Sequence, residues 1–148
     1  MSLNYEALEQ DIIRVEGYSP YAYLDSKGFW TVAFGRCIDR RVGGGISHAE
    51  ALFLLQNDID AKVSELSKRL PWWIYLDDVR ARVLVDLAFN MGVAGLMEFH
   101  KMLGNVERGE WDAAADDMLD SNYARDVPTR AAENARRMRT GSVLAVQP

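Results

Sequence analysis

Three successive glycines, Gly43-Gly44-Gly45, constrain the fold of this chain more than any other stretch. A run without side chains favours neither helix nor strand, so Arg40–Gly45 is a loop, and it separates two parts of different periodicity. Before it, Leu8, Ile12 and Val15 recur at helical spacing over residues 4–16, and Gly17 supplies a C-terminal stop. Pro20, several tyrosines and the turn Asp25-Ser26-Lys27-Gly28 then separate short strand-like pieces. There Trp30, Val32 and Phe34 alternate with Phe29, Thr31 and Ala33, the period of a strand.

Beyond the glycines the pattern is helical throughout. Ser47-His48-Ala49-Glu50 is a capping box, and Leu52, Leu55, Ile59, Val63 and Leu66 follow it at helical spacing. This predicts a helix of about 22 residues ending at Arg69, before Pro71. A second helix is expected over Asp77–Met91, stopped by Gly92, and shorter ones around Leu96–Leu103, Glu110–Leu119 and Thr129–Arg137. The expected class is α+β. A small mixed lobe with a short antiparallel sheet, about residues 1–46, is joined by the long helix to a mostly helical lobe, about residues 47–148.

Composition bounds the function. At 148 residues, 49% hydrophobic and 26% charged, the chain is of ordinary globular make-up, and its apolar runs are far shorter than the roughly 20 residues of a membrane span. Stable membrane insertion is therefore not expected. The start Met1-Ser2-Leu3-Asn4-Tyr5-Glu6 lacks a basic stretch followed by an apolar core, so no signal peptide is expected. The single cysteine, Cys37, leaves stability to packing and reads as a small buried hydrophobe. Net charge is −5, yet Arg125, Arg130, Arg136, Arg137 and Arg139 face only Asp126 and Glu133 within residues 125–139. Such a segment could meet an anionic polymer, or simply pair with the acidic stretch Asp112–Asp120. His48 and His100 form no metal-ligand spacing, and no cofactor or metal is expected.

The chemistry concentrates near the start. Glu16 closes the first helix beside Val15 and near Ile12 and Ile13, where apolar neighbours would shield it and favour its protonated form. Asp25 opens a polar turn and should stay ionised, and Thr31 follows in a strand. A protonated acid, a carboxylate and a hydroxyl could protonate a leaving oxygen and activate a water, as glycosidic cleavage requires. The same residues would also serve as a helix cap and a turn former.

The segment Arg14–Gly35 resembles the N-terminal signature of phage-type lysozymes, glycoside hydrolase family 24. Glu16, Gly17, Tyr23, Asp25, Gly28, Thr31 and Gly35 match that signature, and the similarity continues through Phe89-Asn90-Met91-Gly92, Arg108–Trp111, Pro128-Thr129-Arg130 and Arg139-Thr140-Gly141. It covers essentially the whole chain, with a shorter loop near residues 38–46 than the longest members have. Two positions depart. Ala33 stands for the first glycine of the family's Gly-x-Gly-His ending and Arg36 for its histidine, although an arginine can still pair with an acid.

The resemblance implies a lysozyme-like fold of one domain whose two lobes line a cleft. It implies Glu16 as proton donor, Asp25 as the carboxylate that stabilises the transition state or directs water, and Thr31 as the hydroxyl placing that water. Phe89, Asn90 (where the family often has Gln) and Arg130 match positions that would meet glycan or peptide. Trp72-Trp73 could stack sugars, but closing the core at the Pro71 loop is the preferred reading. The implied reaction is inverting hydrolysis of the β-1,4 bond between N-acetylmuramic acid and N-acetylglucosamine in bacterial peptidoglycan. A monomeric phage endolysin is expected, made in the host cytoplasm and acting on the wall in the periplasm after a holin opens the membrane. A tail-associated wall-piercing module and a non-catalytic glycan-binding protein are the alternatives. Nucleic acid is not an expected partner, because the chain is acidic and carries no such motif.

Overall fold

The computed structural model describes residues 3–143 and divides into two compact units, Met1–Phe53 and Leu54–Pro148. In the first, α1 (Tyr5–Glu16) is capped by Asn4, whose side-chain oxygen accepts from the Ala7 N–H at 3.1 Å. Gly17 closes it, its N–H reaching the Ile13 carbonyl. Three antiparallel strands follow in the order β1 (Ser19–Leu24), β2 (Trp30–Ala33), β3 (Arg36–Cys37). Pro20 is tolerated because β1 is an edge strand, where a missing N–H breaks no ladder. Thr31 is the pivot of the central strand, paired with Tyr23 on one side and Cys37 on the other.

Between the pairs Ser19↔Ala33 and Tyr23↔Thr31 the register shifts, so β1 spends more residues than β2. Ala33 absorbs the irregularity in the left-handed region, at φ 57°. A 3-10 turn over Arg40–Val42 leads to α2 (His48–Arg69). Its capping box forms as the sequence anticipates. The Glu50 N–H donates to Ser47 Oγ at 3.2 Å, and Glu50 Oε2 accepts from the Ser47 N–H at 2.7 Å. Arg36 pairs with the other oxygen of Glu50, so the arginine does find an acid.

The interior of this unit is polar. Among its described residues only Thr31 and Asp39 are buried, each 4% exposed. Helix α1 buries none of its residues, and Leu8, Ile12 and Val15 are all exposed. Cys37 is half-buried rather than buried, because β3 is the other edge of the sheet.

The second unit carries the apolar core. α2 continues into it, and its stripe deepens along the helix: Leu52 and Leu55 are exposed, Ile59 and Val63 half-buried, Leu66 sealed. A 3-10 turn over Pro71–Tyr75 precedes α3 (Asp78–Met97), α4 (His100–Glu107), α5 (Trp111–Leu119), α6 (Asn122–Asp126) and α7 (Pro128–Thr140). Leu66, Leu84, Leu87, Leu96, Met102, Met118 and Met138 are fully buried. Each such side chain contributes about 1.5–3 kcal/mol on leaving water. Ala114, Ala115, Ala131 and Ala135 are buried where α5 packs on α7, small residues that let the two backbones approach. Trp73 is buried, its indole N–H donating to Ser67 Oγ at 3.1 Å, and Trp72 packs partly buried on the core. Closing the core, not displaying sugar platforms, is what these rings do. Among the described residues no single helix is long and apolar enough to cross a membrane.

Two helix boundaries differ from expectation. Gly92 leaves helical geometry (φ 77°, ψ 158°), but a further turn reforms at once, so α3 extends with a kink to Met97 and α4 starts only at His100. α6 is an extra helix of five residues, set by Ser121, whose Oγ accepts from the Ala124 N–H at 3.2 Å.

The basic segment is laced to the helical unit. Arg130 forks onto Asp86 of α3, Nε to Oδ2 at 2.9 Å and Nη2 to Oδ1 at 2.5 Å. Asn134 donates to the same carboxylate at 2.6 Å and to the Tyr123 hydroxyl at 3.0 Å. Arg137 pairs with Glu133, and Arg139 with Asp116. Burial pushes the Asp86 carboxyl up, but hydrogen bonds from Arg130 and Asn134 and the charges of Arg130 and Arg137 outweigh it, so its pKa lies below the ordinary value.

Two outcomes are expected. Ala33→Gly should raise stability by about 0.5 kcal/mol, since a left-handed alanine costs more than the freedom glycine adds to the unfolded chain. The check is a higher urea midpoint at unchanged slope. Because the folded pKa of Asp86 is depressed, its stabilisation is present above roughly pH 4 and fades as pH falls below that value. Asp86→Asn should therefore be less stable at neutral pH and lose less on acidification, as thermal melts between pH 7 and pH 2 would show.

Candidate active site

Glu16 is the last residue of α1, and the chain turns sharply at Gly17 (φ 71°) into the sheet. Its carboxylate lies against the backbone of Gly35. A Cβ built on Gly35 would stand 2.7 Å from Glu16 Oε2 and 3.1 Å from Cδ. Gly35 also has φ 74°, a conformation that favours glycine, and a side chain there would oblige the Glu16 carboxyl to shift. On its open side Glu16 lines a recess of about 300 Å3 with Gly17, Tyr18, Ser19, Tyr23 and Ala33. Tyr18 and Phe34 meet at its edge, ring centroids 5.2 Å apart.

The shielding expected of Glu16 is not found. The residue is exposed, as are Ile12 and Val15. Val15 projects about 100° round the helix from it, and the carboxyl extends past the helix end over Gly35 instead of folding back onto the apolar stripe.

Asp25 and Thr31 are organised by the hairpin turn between β1 and β2. Asp25 Oδ1 accepts from the N–H groups of Lys27 and Phe29, both at 2.8 Å, an Asx turn that fixes the side chain on its own loop. Its other oxygen has no hydrogen-bond partner among the described residues. The Phe29 carbonyl closes the loop, accepting the Asp25 N–H at 2.9 Å and the Thr31 hydroxyl at 3.2 Å. One backbone oxygen thus joins the carboxylate's residue to the hydroxyl's. Thr31 has spent its only proton there, which leaves its lone pairs as acceptors. Tyr23, directly opposite Thr31 in the ladder, shares its face of the sheet and also lines the Glu16 recess.

Asp39 is a feature that the sequence reading passed over as loop. Its carboxylate accepts from the Trp30 N–H at 3.1 Å and the Arg41 N–H at 2.8 Å, and from Arg41 Nη2 at 2.6 Å and Nε at 2.9 Å. The Arg41 side chain outweighs the effect of burial, and the backbone donors add to it, so the carboxyl is held far below the usual carboxylate range. Arg41 also donates to the Gly28 carbonyl at 2.7 Å and lies over the Phe29 ring at 5.3 Å. An acid two residues before an arginine, just past a strand, was the available signal.

In the helical unit, Phe89 and Arg130 line a largely apolar recess of about 600 Å3 that also includes Val63, Val85 and Asp86. Asn90 is exposed and is not among its lining residues. The Arg130 fork is already occupied by Asp86, so any anion it bound would compete with that pair.

Comparison with known proteins matches the sequence to a family. A protein named "Probable T4-type lysozyme 1" of Dictyostelium discoideum is 26% identical over 157 aligned residues, covering 88% of this chain and 92% of that protein. The pre-baseplate central spike protein Gp5 of Enterobacteria phage T4 is also 26% identical, over 155 aligned residues that cover 88% of this chain but only 27% of the spike protein. The family model described as phage lysozyme matches residues 13–139, from the end of α1 to the end of α7. An α+β chain with a carboxylate at the end of its first helix and an Asp–Thr pair on its hairpin, it belongs to the phage lysozyme family.

Proposed function

We infer that this chain is a muramidase, hydrolysing the β-1,4 bond between N-acetylmuramic acid and N-acetylglucosamine in bacterial peptidoglycan. The observation that carries the reading is the shared Phe29 carbonyl. It binds Asp25 and Thr31 into one unit on the hairpin, and Tyr23, opposite Thr31 in the ladder, lines the recess of Glu16, whose lining includes neither Asp25 nor Thr31. Glu16, exposed on that recess, is the general acid that protonates the glycosidic oxygen. The free oxygen of Asp25 receives one proton of the attacking water. The Thr31 oxygen accepts the other O–H, which leaves a lone pair of the water directed at the anomeric carbon. As the carbon–oxygen bond breaks, the leaving sugar takes the Glu16 proton, the water oxygen bonds to the anomeric carbon, and Asp25 holds the displaced proton. Attack by water without a covalent intermediate inverts the configuration.

Phe89 and Arg130 would be contacts for glycan or its peptide stem, with Asn90 adding an amide. No cofactor is invoked. As a monomeric endolysin the protein would reach the wall once a holin had opened the membrane. The likeness to a phage spike protein supports a second reading, a lysozyme module carried by the virion. Immunodetection of the chain in purified virions, against the free fraction of a lysate, separates the two.

Glu16→Gln should retain the fold by circular dichroism and lose more than about 100-fold of the rate of peptidoglycan clearing, the scale of a general acid's contribution. Wild-type clearing would remove Glu16 from the mechanism. Mass spectrometry of the digest should find reducing muramic-acid ends; anhydro ends would instead mean a lytic transglycosylase. Gly35→Ala places a methyl group 2.7 Å from the acid's oxygen and strains a residue at φ 74°. By displacing the flexible end of Glu16 it should lower the clearing rate while leaving the helical circular dichroism signal near that of the parent protein.

A further inference from the structure

Two consecutive peptide planes, Gly28–Phe29 and Phe29–Trp30, each have one end on the Asp25–Thr31 unit and the other on the Asp39–Arg41 pair. In the first plane the Phe29 N–H donates to Asp25 Oδ1 at 2.8 Å, and the Gly28 carbonyl accepts from Arg41 at 2.7 Å. In the second the Phe29 carbonyl accepts from the Asp25 N–H and the Thr31 hydroxyl, and the Trp30 N–H donates to Asp39 at 3.1 Å. A peptide unit is rigid, so fixing one end fixes the direction in which the other points. We propose that Asp39 and Arg41 are positioning residues for hydrolysis, setting the orientation of the Asp25 carboxylate and the Thr31 hydroxyl through these two planes. The proposal rests on the reading of Asp25 and Thr31 given above.

Three further observations favour a built clamp over an incidental surface pair. Asp39 is 4% exposed and accepts four hydrogen bonds, so its carboxylate cannot reorient without losing partners. The glycine loop is packed to fit it. A Cβ on Gly44 would stand 2.7 Å from the Asp39 backbone nitrogen, and the Gly44 N–H donates to the Asp39 carbonyl at 2.8 Å. Arg41 over the Phe29 ring holds the residue that both planes share. Asp39 and Arg41 act through the two planes, as positioning residues. Their effect is on the rate of a bound complex, not on its formation.

Kinetics on a soluble peptidoglycan fragment test this, run well below the melting temperature of every variant. Asp39→Asn, which turns one acceptor into a donor, should lower kcat about 10- to 100-fold with KM within about twofold, the scale set by a misplacement near 1 Å. Arg41→Lys keeps the charge but cannot hold Gly28 and Asp39 together, and should give a smaller loss in kcat at constant KM. Amide exchange at Phe29 and Trp30 should speed up in both variants, while Ala88 in the helical core stays protected. Combined with Thr31→Ala, Asp39→Asn should cost less than the product of the two separate losses.

An unchanged kcat in either variant, or fully multiplicative losses in the double variant, overturns the proposal. So does a loss that appears only in KM. Should Asp39→Asn fail to fold, Arg41→Lys decides by the same criteria. Full activity in Asp25→Asn would overturn the catalytic reading and this proposal together. Loss in Asp25→Asn with normal rates in the clamp variants would overturn this proposal alone.

Discussion

The geometry of the candidate site depends on one backbone oxygen, the carbonyl of Phe29. It accepts from Asp25 across the hairpin turn and from Thr31 along the strand, so neither residue can shift without disturbing the other. Strand pairing supplies the rest. With Tyr23 opposite Thr31 and Leu24 opposite Trp30, the ladder fixes where the turn begins and which face each side chain takes. A slip of one residue would send Thr31 to the other face and dissolve the arrangement.

Glycine does for Glu16 what the carbonyl does for its partners. The acid sits where α1 ends, and its carboxyl lies close against the bare backbone of Gly35. The neighbouring departures from the family signature then make physical sense. Ala33 takes up a left-handed conformation that glycine would adopt without strain, and Arg36 pairs with Glu50 at the start of α2. Neither substitution reaches into the Glu16 recess with a charge.

The sequence was most legible where a local rule acts alone. Ser47 and Glu50 announce the start of α2 because a capping box needs only four residues, and the Asp25–Gly28 turn follows from an Asx turn closed by a glycine. It was least legible where the outcome depends on neighbours distant along the chain. Glu16 beside Ile12 and Val15 reads as shielded, yet shielding requires a covering partner, and spacing carries no record of one. Gly92 reads as a stop, and α3 is only kinked there because core residues such as Val93 and Leu96 are buried beyond it. Arg130 reads as free to bind an anion, and Asp86, 44 residues earlier, already holds it. Asp39 was missed for the same reason: its partner Trp30 lies nine residues back, across a strand.

The two units differ in what they remove from water. The helical unit buries hydrocarbon, whereas the innermost side chains of the first are a hydroxyl and a carboxylate. Exposing apolar surface raises heat capacity and exposing polar surface lowers it. Opening of the sheet therefore carries the smaller heat-capacity change, and its stability varies less steeply with temperature than that of the helices. The bonds holding Asp25 and Thr31 would then respond to cooling and warming as electrostatic contacts do, on a flatter curve than the hydrophobic core beside which the chain places them in sequence.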